Sequence, residues 1–245
     1  MRHTRTLGVE VMSIPVLYED NHLLAVIKPP GIPSQEDETR DPDMLTLLKQ
    51  DLKERHQKPG NVFLGLIHRL DRPVGGVMLF AKTSKAASRL SEAVRTRSFG
   101  KVYICVAEGR PVHNEATLKH YIWKDAKRNQ VTVHNQPAAD AKEAILSYRL
   151  AASSGDYSLL AVQLHTGRPH QIRAQLAHVG LPLVGDQKYG KAKPTNDNVI
   201  ALWSASVSVP HPITKELMSF RALPSGLRVW DWWTQEQLEL ASASY

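Results

Sequence analysis

The chain has 245 residues, enough for one fairly large domain or two small ones with a buried core. Hydrophobic residues make up 42% and charged residues 22%, which excludes a wholly disordered chain. Lysine and arginine outnumber aspartate and glutamate by 31 to 24, and the net charge of +7 points toward a polyanionic partner. The single cysteine, Cys105, excludes an internal disulfide and a cysteine zinc site, and it is typical of a reducing compartment.

The apolar runs are short. Residues 23–27 form one of the longest, and such a run cannot cross a bilayer. The basic N-terminus does not continue into the apolar stretch of a secretory signal. We therefore expect a soluble cytoplasmic protein with no membrane partner.

The predicted elements alternate between short strands and short helices. In chain order, strands are predicted at 22–28, 77–82, 102–108, 130–134, 144–150, 158–165 and 199–209. Helices are predicted after an Asp41 cap, after a Ser84 cap and over 169–179, where Gly180 ends the helix. Because few strands are separated by full helices, the pattern indicates an α+β domain with a mostly antiparallel sheet.

Common cofactor and nucleophile motifs are missing from the sequence. It contains no GxxxxGK[ST], GxGxxG, HExxH or GxSxG. The histidines at 165, 170 and 178 do not have the i, i+4 spacing of a helical ligand pair, so structural or surface roles are expected for them. We expect neither a metal nor a cofactor.

The first candidate segment is GLIHRLDRPVGGVMLFAKT, residues 65–83. Asp71 lies between two arginines, just before a glycine turn that opens a predicted strand. Loops held by rigid flanking elements often carry catalytic groups. The alternative is a solvated surface salt bridge beside a turn.

The second candidate segment is LHTGRPHQIRAQLAHVGLPLVGDQKYG, residues 164–190. Arg168 and Arg173 lie at a predicted helix start, where free backbone N–H groups and the helix dipole favour an anion. The alternative is an amphipathic helix with its arginines in solvent. Together, the two segments suggest an aspartate paired with a distant arginine. Such an arginine favours the ionised carboxylate and orients it as a nucleophile or base.

Four sequence blocks resemble the RluA-type pseudouridine synthases, a family of RNA uridine isomerases. HRLD with its glycine turn (68–76) is similar to the family's catalytic motif. GRPHQIR (167–173), followed by GLPLVGDQKYG (180–190), is similar to its arginine motif. LLAVIKPPGIPS (23–34) resembles its first strand and turn, and KVYICVAEG (101–109) its tyrosine strand. The blocks stand in family order and span most of residues 15–223.

The resemblance implies an enzyme that flips specific uridines out of rRNA or tRNA and isomerises them to pseudouridine. It implies Asp71 as the catalytic aspartate, Arg173 as its partner, and Tyr103 as the residue that packs against the base. Substrate-binding roles are implied for Arg69, Arg168, His170, Gln171 and Leu202. Two basic clusters are expected to hold the RNA: Arg89, Arg95, Arg97 and Lys101, and Lys119, Lys124, Lys127 and Arg128.

The implied fold is a single α+β catalytic domain. Its long, bent, mixed and mostly antiparallel sheet would carry flanking helices and a central cleft. We expect this domain at 14–235, between poorly ordered tails at 1–13 and 236–245. No S4 RNA-binding domain is expected, because the family core begins near residue 14. RNA is the expected partner, with no obligate protein partner and a monomeric state.

Two departures from the family pattern affect the site. Val74-Gly75-Gly76 replaces Thr-Ser-Gly and removes a hydroxyl that could brace the catalytic loop. Leu202-Trp203-Ser204 replaces Leu-His-Ala at the pocket floor. Two alternatives stay open: a catalytically idle RNA-binding or chaperone protein on the same fold, and a hydrolase or lyase for a small anionic substrate.

Overall fold

The computed structural model describes residues 13–190 and 199–243. The strands are β1 (Val16–Glu19), β2 (Leu23–Lys28), β3 (Gly65–Leu66), β4 (Gly75–Ala81), β5 (Gly100–Glu108), β6 (Glu115–Asp125), β7 (Gln130–His134), β8 (Lys142–Ser154), β9 (Tyr157–Leu164), β10 (Leu202–Pro210) and β11 (Leu217–Arg221). The helices are α1 (Met44–Arg55), α2 (Ser84–Arg95), α3 (Gln171–His178), a 3₁₀ helix (Arg228–Trp232) and α4 (Gln235–Ser242).

All of these strands belong to one 11-stranded sheet. Nine follow the order β1-β2-β4-β10-β5-β9-β8-β6-β7, while β3 pairs with β4 and β11 with β10. The pairing of β4 with β10 is parallel, with Gly75 opposite Trp203 and Gly76 opposite Ser204. The other strand pairings are antiparallel. The predicted α+β class and mixed, mostly antiparallel sheet are confirmed.

The centre of the sheet is covered on both faces. Along β4, Met78 and Phe80 pack into one cluster with residues of α1. Val77 and Leu79 point to the opposite face and pack with α2, because successive side chains of a strand alternate. This double burial explains why β4 is an unbroken apolar run. It also gives the loop that precedes β4 a rigid support.

Two predicted helix caps are wrong by one or two residues. The carboxylate of Asp43, not Asp41, accepts from the backbone N–H groups of Leu45 and Thr46 at 2.9 and 3.2 Å. Asp41 instead pairs with Arg72. Likewise the hydroxyl of Thr83, rather than that of Ser84, caps α2. Each cap lies next to its helix, where its side-chain oxygen reaches the free N–H groups of the first turn.

The expected C-terminal tail is also corrected. Residues 235–242 form α4, which begins with a reciprocal capping box between Thr234 and Gln237. Leu238 and Ala241 of this helix are buried in a cluster with Trp230. The ordered fold therefore extends past residue 235, whereas residues 1–12 of the expected tail at 1–13 lie outside the described residues. No helix in the described ranges is long and apolar enough to cross a membrane.

Candidate active site

A broad cleft of about 1430 Å³ contains the predicted catalytic residues. It exceeds the roughly 300–1,000 Å³ of a small-molecule pocket. Nine arginines and lysines line it against three carboxylates. These cations are Arg69, Arg72, Arg95, Arg97, Lys101, Lys124, Arg168, Arg173 and Lys188. Charge and size together suit a polyanionic polymer.

Asp71 and Arg173 meet in this cleft although they lie 102 residues apart in the chain. Asp71 is in the loop before β4, and Arg173 projects from the first turn of α3. The Arg173 Nη1 donates to Asp71 Oδ2 at 2.9 Å. The other side of the guanidinium is held by Asp186, with Nε at 2.8 Å and Nη2 at 3.0 Å from its two oxygens. Arg173 is thus clamped between two carboxylates.

The two carboxylates of this clamp differ in exposure. The side chain of Asp71 is 29% exposed, those of Arg173 and Asp186 only 7% and 0%. Burial works against the charge of Arg173, but Asp186 and Asp71 outweigh it and raise its pKa. Burial likewise opposes ionisation of Asp186, yet its bonds to Arg173 lower its pKa. Asp186 therefore anchors the arginine, and Asp71 keeps a carboxylate edge open to the cleft.

A buried lysine holds the loop that carries Asp71. Lys28 is fully buried at the end of β2. Its ammonium donates to the carbonyl oxygens of Pro29, Arg72 and Val74 at 3.0, 3.1 and 2.7 Å. Burial lowers the pKa of Lys28 to about 7, against the attraction of Asp71. These bonds fix the backbone on both sides of Pro73, directly after Asp71.

Tyr103 and Leu202 belong to the apolar lining of the cleft. They lie on the neighbouring strands β5 and β10, are 6% and 5% exposed, and both line the cleft. Burial raises the pKa of the Tyr103 phenol, and the negative charge of Asp71 adds to this shift. The phenol is therefore neutral at physiological pH, and its ring offers a surface beside the carboxylate.

The other predicted substrate-binding residues differ in exposure and in how far their side chains already make hydrogen bonds. Arg69 is exposed and lines the cleft, and half-buried Arg168 donates from Nε to the Glu143 carbonyl at 2.8 Å. Gln171 is 3% exposed, and its amide is engaged by Thr166, the Arg168 backbone and the Ile145 carbonyl. Gln171 also lines the cleft, and its amide bridges the α3 start to β8, so its substrate-binding role stays a prediction.

The two predicted basic clusters reach the cleft only in part. Lys124 lines it from β6, as do Arg95, Arg97 and Lys101 from the other side. Arg89 instead donates to the Pro212 carbonyl at 2.6 Å. The cleft thus takes cations from both clusters, while other members serve local contacts.

His170 also lines the cleft, and its backbone has an unusual conformation. It is the N-cap of α3, with φ 50° and ψ 22°, but its side chain makes no capping bond. Its Nδ1 instead lies 2.6 Å from the hydroxyl of Tyr189, which also accepts from the Val131 N–H at 2.9 Å. We assign the hydroxyl hydrogen to Nδ1, because the oxygen already accepts from Val131, and neutral His170 then carries its proton on Nε2.

Burial is the main reason that His170 stays neutral. Burial lowers its pKa, and the positive charges of Arg173 and Lys188 act in the same direction. The negative charges of Asp71 and Asp186 oppose the shift without reversing it. His170 therefore presents a neutral imidazole to the cleft at physiological pH.

Removing the Tyr189 hydroxyl tests this proton placement. In Tyr189→Phe we expect ¹⁵N NMR to show His170 as a mixture of tautomers, where wild type shows the Nε2–H form alone. Of the two hydrogen bonds that this hydroxyl makes, the one to His170, about 0.5–1.5 kcal/mol, should set the effect on turnover and lower kcat/KM by about 3- to 10-fold. Tyr148→Phe is the control, because the Tyr148 hydroxyl donates to the His113 carbonyl and does not line the cleft. An unchanged tautomer in Tyr189→Phe would refute the assignment.

The two departures from the family pattern contact each other. A Cβ at Gly75 would lie 2.4 Å from Trp203 Cζ3, so only glycine fits beside this indole. Gly76 has φ 119°, and its Cβ would lie 2.3 Å from the Ser204 carbonyl oxygen. Trp203 is itself fixed by a bond from Nε1 to the Ala222 carbonyl at 2.9 Å. The indole thus braces the loop where the hydroxyl is missing.

We expect Gly75→Ser to destabilise the protein by about 1–3 kcal/mol through overpacking against Trp203. The same substitution should cost at least about 1 kcal/mol less in a Trp203→His background, where the ring is smaller. Urea denaturation of the four proteins in this cycle measures both values. Gly60→Ser is the control, because a Cβ there meets nothing within 4 Å. Equal costs in both backgrounds would show that the two departures are independent.

Sequence reasoning missed three residues of the site: Lys28, Asp186 and Tyr189. All three fall within blocks that carry the family resemblance, at 23–34 and 180–190. Their contacts could not be read from spacing, because each forms with a distant element. Within the described residues, no group of three or more His, Cys, Asp or Glu side chains could hold a metal ion.

Comparison with known proteins places this site in a family. The family model for RNA pseudouridylate synthase matches residues 22–178. An uncharacterized RNA pseudouridine synthase of Bacillus subtilis, YlyB, is 30% identical over 217 residues, which cover 87% of this chain and 70% of that protein. Ribosomal large subunit pseudouridine synthase D of Yersinia pestis is 33% identical over 195 residues, covering 77% of this chain and 58% of the relative.

A solved structure confirms the fold. Human RNA pseudouridylate synthase domain containing 4 superposes with a TM-score of 0.74 at 21% identity, covering 92% of this chain and 93% of its own. The family model spans well over half of the chain, and the relatives cover most of it. The chain therefore belongs to the RluA-type RNA pseudouridine synthases, a family of isomerases that act on RNA.

Proposed function

We propose that this protein isomerises specific uridines of large-subunit rRNA to pseudouridine, with Asp71 as the catalytic carboxylate. The observation that carries the proposal is the contact between Asp71 and Arg173 inside a strongly basic cleft. The guanidinium orients the carboxylate without covering its exposed edge. Uridine isomerisation needs an oriented carboxylate next to an apolar surface large enough for the base.

The choice of RNA rests on the relatives. Proteins named ribosomal large subunit pseudouridine synthase C, from Rickettsia prowazekii, and D, from Yersinia pestis, are 31% and 33% identical to this chain. Large-subunit rRNA is therefore the first substrate to test. tRNA is the second, because the RluA-type family acts on both classes.

In the proposed reaction the target nucleotide leaves its helix, since its reacting atoms are inaccessible in a stacked duplex. Unstacking costs a few kcal/mol, which stacking on Tyr103 offsets in part. The N1–C1′ bond breaks, the uracil turns, and a C5–C1′ bond forms. The C5 proton is lost and N1 gains one, so substrate and product are isomers. Asp71 serves as nucleophile at C1′ or C6, or as base at C2′.

The neighbouring residues have supporting roles in this proposal. Tyr103 packs its neutral ring against the flipped base, and Leu202 completes the apolar wall. Arg69 at the exposed rim, with Arg168 and His170, contacts the extruded nucleotide and its backbone. Lys28 holds the Asp71 loop. No step calls for a redox change or an energy input.

We extend the proposal to the organisation of the protein. A single catalytic domain begins near residue 14 and includes α4, which is buried against the sheet through Leu238 and Ala241. A monomeric state and a cytoplasmic location accompany this proposal. Gel filtration with light scattering tests the first, and fractionation of the source cells tests the second.

The direct test uses transcripts of large-subunit rRNA and tRNA that carry tritium at uridine C5. Because the C5 proton is lost, pseudouridine formation releases tritium to solvent. We expect release from rRNA transcripts with wild-type protein. Tight RNA binding without release from either RNA would favour the idle RNA-binding alternative, which the intact Asp71–Arg173 pair does not favour.

A further inference from the structure

Lys101 is a cleft cation that the proposed chemistry does not use. It lies on β5 two residues before Tyr103, and both side chains line the cleft. Since side chains alternate along a strand, the two share one face about 6.7 Å apart. Lys101 is therefore the next side chain along this face of β5 from Tyr103, the ring on which the base would stack.

The ammonium of Lys101 has no counter-charge in the described part of the chain. Its Nζ lies 5.8 Å from the centre of the Phe99 ring, a weak cation–π contact. Burial lowers the pKa of Lys101, and no carboxylate opposes the shift. A half-buried ammonium without a partner is unfavourable in the free protein. Its position therefore indicates a ligand that brings negative charge.

Two other cations of the cleft differ from Lys101 because each has a carboxylate partner. Arg72 pairs with Asp41, and Arg95 pairs with Glu92. Their charges are compensated within the protein before any RNA arrives. Lys101 is buried more deeply than either pair and remains uncompensated.

Gly167 lies close to this ammonium. A Cβ at Gly167 would lie 3.3 Å from Lys101 Nζ. The φ of Gly167 is outside the left-handed region, so the backbone does not require glycine here. Gly167 also precedes Arg168, whose backbone N–H is held by the Gln171 amide at 2.9 Å. The ammonium is therefore flanked by a fixed loop on one side, while its own strand β5 holds it from the other.

We propose that Lys101, where it lines the cleft beside Gly167, binds the RNA phosphodiester that flanks the target uridine. An ammonium on a flexible stem is a common phosphate ligand and needs no fixed geometry. The proposal rests on the proposed function for the identity of the polymer. Phosphate contact at Lys101 and base stacking at Tyr103 would together fix which nucleotide faces Asp71.

The test is the salt dependence of RNA binding. The affinity of a short fluorescent oligouridine is measured by anisotropy over a series of KCl concentrations, with wild type and Lys101→Met. Loss of one phosphate contact should reduce the slope of log K against log salt by about 0.7. The affinity at low salt should fall several-fold. Lys101→Arg should restore the wild-type slope.

Lys85→Met is the matched control, because Lys85 is exposed on α2 and does not line the cleft. It should leave slope and affinity close to wild type. We also expect Lys101→Met to be at least as heat-stable as wild type, since it removes an uncompensated charge, and to raise KM with little change in kcat. If Met is not tolerated, Lys101→Gln is measured in the same way.

A Lys101→Met slope equal to those of wild type and Lys85→Met would overturn the phosphate site, even if tritium is released. The two proposals fail separately, because the binding measurement does not depend on turnover. Loss of slope in Lys101→Met without tritium release from wild type would retain the phosphate contact and remove the catalytic assignment.

Discussion

Replacing Asp71 with asparagine is expected to lower pseudouridine formation by about 10³-fold or more, the range found when a catalytic group that acts directly is removed. Asparagine keeps the shape but cannot act as nucleophile or base. Arg173 remains held by two bonds to Asp186, so the site should keep its geometry. Tritium release measures turnover, and anisotropy measures binding, which should stay within about 3-fold of wild type because phosphate contacts dominate affinity.

Asp41→Asn provides the control for this experiment. Asp41 is also paired with an arginine of the same region, Arg72, but it is exposed and does not line the cleft. It should retain near wild-type turnover. Pseudouridine formation by Asp71→Asn or Asp71→Ala at a rate close to wild type would remove Asp71 from the mechanism.

Asp186→Asn should be the most destabilising single change in the site. The carboxylate is 0% exposed and makes two bonds to the Arg173 guanidinium. Asparagine can still accept from the backbone N–H groups of Lys188 and Tyr189, which now bond to Oδ1. Its amide cannot balance the buried charge of Arg173. Breaking a buried pair from one side costs about 3–5 kcal/mol, and turnover should fall because Arg173 loses its orientation.

Urea denaturation of Asp186→Asn and Asp51→Asn compares the stability lost with a buried ion pair and the stability lost with an exposed one. Asp51 bonds Arg55 with both side chains more than 40% exposed, so its loss should cost less than about 1 kcal/mol. The pKa of Asp186 is lowered in the fold, so its stabilisation is complete above the unfolded pKa of about 3.9. It is lost as the pH falls through the folded value. The gap between wild type and Asp186→Asn should therefore shrink in acid, and a constant gap would contradict this account.

Much of the fold follows from local pattern. The strand at 130–134 matches β7, and the helix predicted over 169–179 contains α3, with Gly180 at a φ of 83° behind it. β6 was missed, although the exposure of its residues alternates from Thr117 to Ile122. In this stretch the more buried positions, Leu118, His120 and Ile122, include a histidine, and the more exposed ones include the aromatic Tyr121. The periodic signal is therefore weak, and pairing with β7 and β8 decides the strand.

The prediction of part of the site rests on the family resemblance and not on local pattern. Asp71 and Arg173 were paired because both stand in motifs that resemble one family, since neither position reveals the other by spacing. Lys28 and Asp186 were missed because charged residues are rarely fully buried. Only the assembled sheet places their partners around them. The close fit of Gly75 to Trp203 is likewise a property of the β4–β10 pairing.

The span between Asp71 and Arg173 has a consequence for how activity arises during folding. The pair closes a loop of 102 residues, within which β5 through β9 must first find their places. Closing so long a loop carries an entropic cost that only the completed strand ladder repays. A nascent or partly unfolded chain therefore has no catalytic centre. We expect isomerase activity to return during refolding no earlier than the part of the sheet that brings Asp71 and Arg173 together.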